Sequence, residues 1–119
     1  MSRVGGIINL KVDGQLFKAK GAFTYNLGSA RREGVVGADV VHGFKETPQI
    51  PYIEGEITDD LNLDLKALQA ITDATITLEL AVGKVIVLRN GWYAAEGNVQ
   101  TEEGNIQVRF EGLNAEEVK

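Results

Sequence analysis

The side chains that most often carry out catalysis are scarce in this chain of 119 residues. It has a single histidine, His42, and its serines are Ser2 near the N-terminus and Ser29 at the start of a predicted loop. A nucleophilic serine needs a neighbouring base and a third group that orients that base, and neither serine is well placed for this role. A histidine on the surface of a strand is the simpler interpretation of His42, and a hydrolase is kept as an alternative hypothesis.

Metal ligands are equally sparse, because the chain has no cysteine and no second histidine to complete a zinc site. Asp60, Asn62 and Asp64 have the spacing of the first three ligands of a calcium-binding loop. Such a loop then needs a glycine and a bidentate glutamate, and the chain has Leu65 and Ile71 at those positions. Solvated acids at the start of a helix explain this spacing better. The sequence therefore predicts no metal and no other cofactor.

Two carboxylates, Glu54 and Glu56, lie close together in the segment TPQIPYIEGEITD, which also holds both prolines of the chain. Proline cannot donate to a strand ladder, so pairing should stop just before this strand begins. Strand alternation then places the two glutamates on one face and Ile53 and Ile57 on the other. Carboxylates side by side on one strand do not flank a bond from opposite sides, as glycosidases require. The face that carries them is either ordinary solvated surface or the lining of a larger structure.

A charged cluster, Arg31, Arg32 and Glu33, lies in the segment SARREGVVGA, residues 29–38, which has neither a helical nor a strand period. Long loops without structure of their own are usually functional or mobile. Arginine is well suited to bidentate pairing with carboxylates. We predict a long loop over residues 30–38, with its charges either at a solvated tip or in contact with another subunit.

The rest of the chain is dominated by alternation of apolar and polar residues, which is typical of half-buried strands. Asp13-Gly14 and Asn90-Gly91 predict tight hairpin turns, and Glu103-Gly104 predicts a further turn. Asp64 is a good N-cap for one short helix over residues 64–71. Residues 113–119 are predicted to be a flexible tail. The predicted strands are INLKV, AFTYNLG, DVVHGFKE, PYIEGEITD, TITLEL, KVIVLR, WYAAEGNVQ and IQVRF.

These elements predict a mainly β fold, an antiparallel β-sandwich or partial barrel with one short α-helix, in a single domain over residues 1–119. The hydrophobic fraction of 44% is enough for one core. The absence of cysteine fits a protein made in a reducing cytoplasm, and no apolar run reaches the roughly 18–20 residues that span a bilayer. A net charge of −5 disfavours gripping nucleic acid, although an acidic surface could line a passage along which DNA slides.

Four motifs, in this order, give the chain a resemblance to a known family: PQIPYIEG, TDATITLEL, VLRNGW and TEEG-x-I-x-VRFEG. They lie in the longer segments VHGFKETPQIPYIEGEITD, LDLKALQAITDATITLELAVGKVIVLRNGW and EGNVQTEEGNIQVRFEG. Together they cover nearly the whole chain. The chain resembles the tail tube protein of Mu-like contractile-tailed bacteriophages.

The resemblance implies a structural protein and not an enzyme. It implies the fold of phage tail tubes, which is similar to that of secretion-system needle ring proteins, and hexameric rings stacked into a hollow tube. Each subunit would lend strands to one large barrel, through which the genome passes during ejection without specific binding. The implied partners are further copies of the chain and the sheath, tape measure, baseplate and tail terminator proteins. The implied location is the virion tail, assembled in the host cytoplasm, with no membrane insertion by the monomer.

Two surfaces acquire expected roles from this resemblance. The 29–38 loop, with Arg31, Arg32 and Glu33, is expected to make the contact between successive rings. Glu54 and Glu56, or one of them, are expected to face the lumen. The remaining alternative is a small β-barrel module that binds a ligand or single-stranded nucleic acid. Such modules usually combine a basic groove with exposed aromatic residues, whereas this chain is acidic and 7% aromatic.

Overall fold

The computed structural model describes residues 7–118. Its strands pair with antiparallel neighbours, and the chain between two of them forms one short helix. This confirms the predicted fold class, a mainly antiparallel β protein. The elements, in chain order, are β1 (Ile7–Val12), β2 (Gln15–Phe17), β3 (Ala19–Asn26), β4 (Arg31–Val36), β5 (Val41–Thr47), β6 (Tyr52–Thr58), α1 (Leu65–Gln69), β7 (Ala74–Leu80), β8 (Val85–Tyr93), β9 (Val99–Gln100), β10 (Asn105–Glu111) and β11 (Asn114–Val118).

Two layers enclose the core. The first layer consists of β2, β1, β7, β8 and β11, and the second of β10, β6 and β3, with β9 paired to β10. Alternate residues of both layers meet in one buried cluster, in which the largest side chain is Phe110. The other fully buried large side chains are Leu10, Ile53, Ile57, Ile76, Leu78, Ile86, Leu88, Ile106 and Val108. The period-two pattern of the sequence therefore identifies the inner faces of the strands correctly.

Strand β8 joins the two layers, and it corrects the prediction at Asn90-Gly91. No hairpin forms there, since β8 continues through both residues to Tyr93. Asn90 has a φ of 53°, and the pairing with β7 shifts by one residue at this point, which is a β-bulge. Beyond the bulge, Trp92 and Tyr93 pair with β10 instead. The tolerance of Asn for positive φ thus bends a strand into the second layer and does not reverse it.

The prediction at Asp13-Gly14 is confirmed. Val12 pairs with Gln15, so Asp13 and Gly14 alone form the connection between β1 and β2. Both have positive φ, 49° for Asp13 and 85° for Gly14. Positive φ at both central residues is the requirement of a type I′ hairpin turn.

The short helix is also present, and it begins at the predicted N-cap. The Asp64 carboxylate accepts a hydrogen bond from the backbone N–H of Ala67 at 3.2 Å. The helix ends at Gln69, so it is shorter than the predicted 64–71 segment. It is held to the sheets by Leu68, which is buried. Within residues 7–118 no helix is long and apolar enough to cross a bilayer.

The predicted flexible tail is wrong. Asn114–Val118 forms β11, which pairs with β8 from Asn114 opposite Arg89 to Val118 opposite Val85. Exposed ion pairs accompany this ladder, with Lys84 Nζ 3.2 Å from the Glu117 carboxylate and Arg89 Nε 3.2 Å from the Glu116 carboxylate. The sequence NAEEV carries little apolar alternation because this edge strand buries little surface. The last residue of the predicted tail, at position 119, lies outside the described residues.

Candidate functional site

The residues considered for catalysis do not converge on a site. His42 lies on β5 with its ring against Gly37, and both His42 and Ser29 are exposed. Ser2 lies outside the described residues. Among residues 7–118, no group of three or more histidine and carboxylate side chains could hold a metal ion.

The calcium-like spacing is explained by turn and cap hydrogen bonds. One Asp60 carboxylate oxygen accepts from the backbone N–H of Asn62 at 2.8 Å, and the other lies 3.5 Å from Lys18 Nζ. The Asp64 carboxylate caps α1. These oxygens accept hydrogen bonds from the backbone N–H groups of a turn and of the first turn of the helix, in agreement with the interpretation of solvated acids at a helix entry.

The predicted 30–38 loop is instead one half of a β-hairpin, which we call the arm and define as residues 31–47. Arg31–Val36 forms β4 and pairs along its length with β5 in a separate two-stranded sheet. Every residue of both strands is exposed. The radius of gyration is 17.2 Å, against about 13.5 Å for a compact domain of this length. The arm therefore projects from the body.

The arm presents apolar side chains to solvent near its tip. Val36 is 73% exposed and is paired in register with Val41, which is 66% exposed. Val40 and Phe44 are also more than half exposed. A two-stranded hairpin is marginally stable alone in water, and a contiguous exposed apolar surface usually marks an interaction site. The arm has the properties of a surface that another chain covers.

The charged cluster of the arm is brought together by cross-strand pairing. Glu33 lies 3.5 Å from Arg31 and 3.6 Å from Lys45, and Arg32 Nε lies 3.3 Å from the Glu46 carboxylate. All of these side chains are at least 44% exposed. Exposed pairs of this kind contribute little to stability, about 0–1 kcal/mol each. Their charges therefore remain available to a partner.

The base of the arm is fixed to the body at the two prolines. Pro51 is buried, and its ring packs so closely on Gly28 that a Cβ there would lie 2.9 Å from the ring. The Gln49 side-chain amide donates to the Ser29 carbonyl at 2.9 Å. Strand pairing stops at Thr47 and resumes at Tyr52, as the prolines predict. The arm thus leaves the second layer in a defined direction.

The second candidate surface is the side of the second layer that faces away from the core, which we call the polar face. Glu54 and Glu56 both lie on it, as the alternation predicts, while Ile53 and Ile57 are buried on the other side. The strand register brings further polar residues beside them. These are Lys20, Thr24 and Asn26 on β3, Tyr52 and Thr58 on β6, and Gln107, Arg109 and Glu111 on β10.

Arg109 is the centre of a compact network on the polar face. Its Nη1 donates to Glu54 at 2.9 Å, its Nε donates to Glu111 at 2.9 Å, and its guanidinium lies 3.9 Å from the centre of the Tyr52 ring. Burial on its own would lower the pKa of Arg109, but the hydrogen bonds to Glu111 and Glu54 raise it above the ordinary arginine value. Arg109 is therefore permanently charged and pairs with two carboxylates, which leaves the three side chains with a net charge of −1.

Sequence reasoning missed Arg109. The alternation of IQVRFE places Arg109 on the face opposite Phe110. The residue that pairs with Arg109, however, depends on the register between β10 and its neighbouring strand. Arg109 pairs with Glu54 across β10 and β6, which are far apart in the chain. Antiparallel alignment of YIEGEIT with NIQVRFE would have suggested this pair.

A cleft of about 240 Å³ adjoins the polar face, between Arg109, Glu54, Gln107 and the loop over residues 94–98. Small-molecule pockets usually have volumes of about 300–1,000 Å³ and are mostly apolar. This cleft is smaller than that range, so it lends no support to a ligand-binding module.

Comparison with known proteins agrees with the geometry. The sequence model of the phage tail tube protein family matches residues 1–117. The chain is also 26% identical over 110 residues to the "Mu-like prophage FluMu tail tube protein" of Haemophilus influenzae, and the alignment covers 92% of each chain. The exposed arm suits a structural subunit that assembles with other copies of itself. The chain belongs to the phage tail tube protein family, a structural and non-catalytic component of phage tails.

Proposed function

We propose that the chain forms hexameric rings, which stack into the hollow inner tube of a contractile phage tail and form the conduit for DNA ejection. The observation that carries the proposal is the fully exposed arm on a subunit of the tail tube family. The contractile class is supported by the similarity to a Mu-like prophage protein. The tube is a component of the virion and assembles in the host cytoplasm.

Ring formation is supported by the open edge of the second layer. β3 lies at one end of the strand order and pairs, within the described residues, only with β6. A chain of this length cannot close a wide aqueous barrel alone, but strands from several subunits can. Pairing between subunits also removes the aggregation hazard of a free strand edge.

The arm makes the contact between successive rings. It leaves one end of β6, at Tyr52, and the loop that begins at Asp59 leaves the other end. A contact between opposite ends of neighbouring copies is heterologous and does not close, so it generates a filament. Arg31, Arg32 and Glu33 then meet the adjacent ring together with the apolar tip.

The polar face lines the lumen. It carries the carboxylates Glu54, Glu56 and Glu111 against the cations Lys20 and Arg109, an excess of one negative charge in each subunit. Such a wall repels phosphate weakly all around the passage. Sheath, tape measure, baseplate and tail terminator proteins are the partners at the outside, inside and ends of this tube.

Electron microscopy of concentrated protein tests the proposal, with two arm variants. We expect tubes from the natural sequence, and folded subunits without tubes from Arg31→Glu with Arg32→Glu and from Val36→Asp with Val41→Asp. Lys18→Glu with Lys66→Glu is the control for the first variant, because it makes the same charge change outside the arm. Val82→Asp with Leu61→Asp is the control for the second, because it adds the same two carboxylates at side chains that are 62% and 99% exposed and lie outside the arm.

Two results would count against the proposal. Tubes of normal length from both arm variants would remove the arm from the ring-to-ring contact. A natural protein that stays a monomer or dimer at millimolar concentration would favour the small binding module.

A further inference from the structure

We infer that Glu54 and Glu111 mask Arg109, so that its guanidinium is not offered to the phosphates of DNA. This inference builds on the proposed lumen role of the polar face. It assigns a function to individual side chains that the net charge of −5 does not reveal. The wall is kept from binding DNA by pairing its arginine with carboxylates, and not only by an excess of acid.

Two of the five N–H donors of the Arg109 guanidinium are used by carboxylates. Glu54 accepts from Nη1 and Glu111 accepts from Nε, at 2.9 Å each, and the Tyr52 ring covers one face of the guanidinium. The Arg109 side chain is 29% exposed, and that of Glu111 is 21% exposed. A phosphate that approaches either of these donors must displace a carboxylate, and at the remaining donors it meets the repulsion of two negative charges.

The second cation of the polar face, Lys20, is held by neutral acceptors. Its Nζ donates to the Asn105 side-chain oxygen at 2.7 Å and to the Glu103 carbonyl at 3.4 Å. Asn105 is only 5% exposed, and its amide donates to the Glu103 carboxylate at 3.1 Å. Asn105 is therefore a fixed acceptor that draws Lys20 toward the end of the strands. Lys20 is exposed and keeps its charge, so the masking by carboxylates is specific to Arg109.

Masking matters because a ring repeats each side chain. An unpaired arginine offers planar donors that match phosphate. One such contact is weak, but contacts repeated around and along a tube add up by multivalency. A tube with one free arginine in each subunit would hold DNA that has to pass. The carboxylates around Arg109 prevent this without removing the arginine, which anchors β6 to β10.

The test is to unmask Arg109 and measure DNA binding in solution. In Glu54→Gln with Glu111→Gln, we expect a 12-base-pair duplex to shift the Nε–Hε NMR signal of Arg109 in a saturable way. Binding should weaken roughly 3.5-fold between about 50 and 200 mM salt, from a slope of about −0.9 for one phosphate contact. The natural sequence should show no saturable shift.

Two controls separate masking from charge. Glu56→Gln with Glu102→Gln makes the same charge change but leaves Arg109 paired, so it should behave like the natural sequence. Adding Arg109→Gln to the unmasked variant removes the Nε–Hε NMR signal, so this control is followed by the backbone N–H signals of β10, whose saturable shifts with the duplex in the unmasked variant should be abolished. If the unmasked double variant does not fold, the single variants Glu54→Gln and Glu56→Gln, which make the same change two residues apart, give the same comparison.

Equal DNA binding by the unmasked variant and its charge-matched control would overturn the inference, whether or not tubes form. Co-sedimentation of the duplex with assembled tubes tests the location. Saturable shifts in subunits, without retention of DNA by tubes of the unmasked variant, would mean that the masked arginine is real but does not face the lumen. That outcome would contradict both the proposal that the polar face lines the lumen and the role of masking in DNA passage.

Discussion

The arm and the polar face both carry paired arginines and carboxylates, but the pairs differ in how far they are exposed to solvent. On the arm, Arg32 pairs with Glu46 at 3.3 Å, and both side chains are about half or more exposed. On the polar face, Arg109 pairs with two carboxylates and is less than a third exposed. The arm leaves charge and apolar surface for another chain, whereas the polar face pairs its arginine internally. A self-assembling tube needs both kinds of surface, one to adhere and one to let cargo pass.

The largest expected difference between the arm and the body is in packing. Phe110→Ala should lower the free energy of unfolding by about 3–5 kcal/mol, because it empties a fully buried site. Phe44→Ala on the arm should change it by no more than about 0.5 kcal/mol, since Phe44 is 55% exposed. Urea unfolding followed by tryptophan fluorescence measures both. Similar losses in the two variants would mean that the arm packs on the body.

A smaller difference is expected between the ion pairs of the two regions. Glu111→Gln should cost about 1 kcal/mol, because it weakens a charged hydrogen bond in a partly buried network. Glu33→Gln on the arm should cost about 0–0.5 kcal/mol, since its pairs are exposed and screened. Thermal unfolding at low and high salt measures both costs. Equal costs would mean that the polar-face network is no more rigid than the arm.

The smallest expected effect concerns alkaline pH. Burial raises the pKa of Tyr93 above its ordinary value of 10.0, and its hydroxyl donates to the Gln107 carbonyl at 3.2 Å. The unfolded chain therefore loses this proton first. The stabilisation is complete below about pH 10 and is lost as the pH rises through the folded pKa.

Tyr93→Phe should accordingly reduce the fall in stability above about pH 10. Denaturant midpoints measured at intervals from pH 8 to 11 provide the test. Tyr25→Phe is the control, because Tyr25 belongs to the same layer. An unchanged alkaline slope in Tyr93→Phe would contradict the assignment.

Much of the fold can be predicted from the sequence because one face of most strands is buried. Two strands that lack a fully buried face are missed. The sequence predicts a loop in place of β4 and a tail in place of β11, because neither RREGVV nor NAEEV alternates and neither strand buries a full face. Their strand pairing depends on β5 and β8, which a local pattern does not include.

The outcome at a turn and the partner of a side chain also depend on strand pairing that a local pattern does not include. Asp13-Gly14 and Asn90-Gly91 have the same preference for positive φ, but one closes a hairpin and the other makes a bulge. The next residue along the chain decides the outcome, because Gln15 returns to pair with β1 whereas Trp92 pairs with β10. The shared face of Glu54 and Glu56 is predicted by alternation, but the Arg109 network depends on a register between distant strands.

The bend at Asn90 has a mechanical consequence. Because β8 pairs with β7 and β11 before the bend and with β10 after it, the two layers cannot separate without breaking one strand. They should open as one cooperative unit, and amide hydrogen exchange along β8 should require global unfolding. The arm, which has no shared strand, should exchange by local opening. If the arm joins successive rings as proposed above, a tube of such subunits combines stiff walls with compliant links, and bending is absorbed between rings while the bore keeps its width.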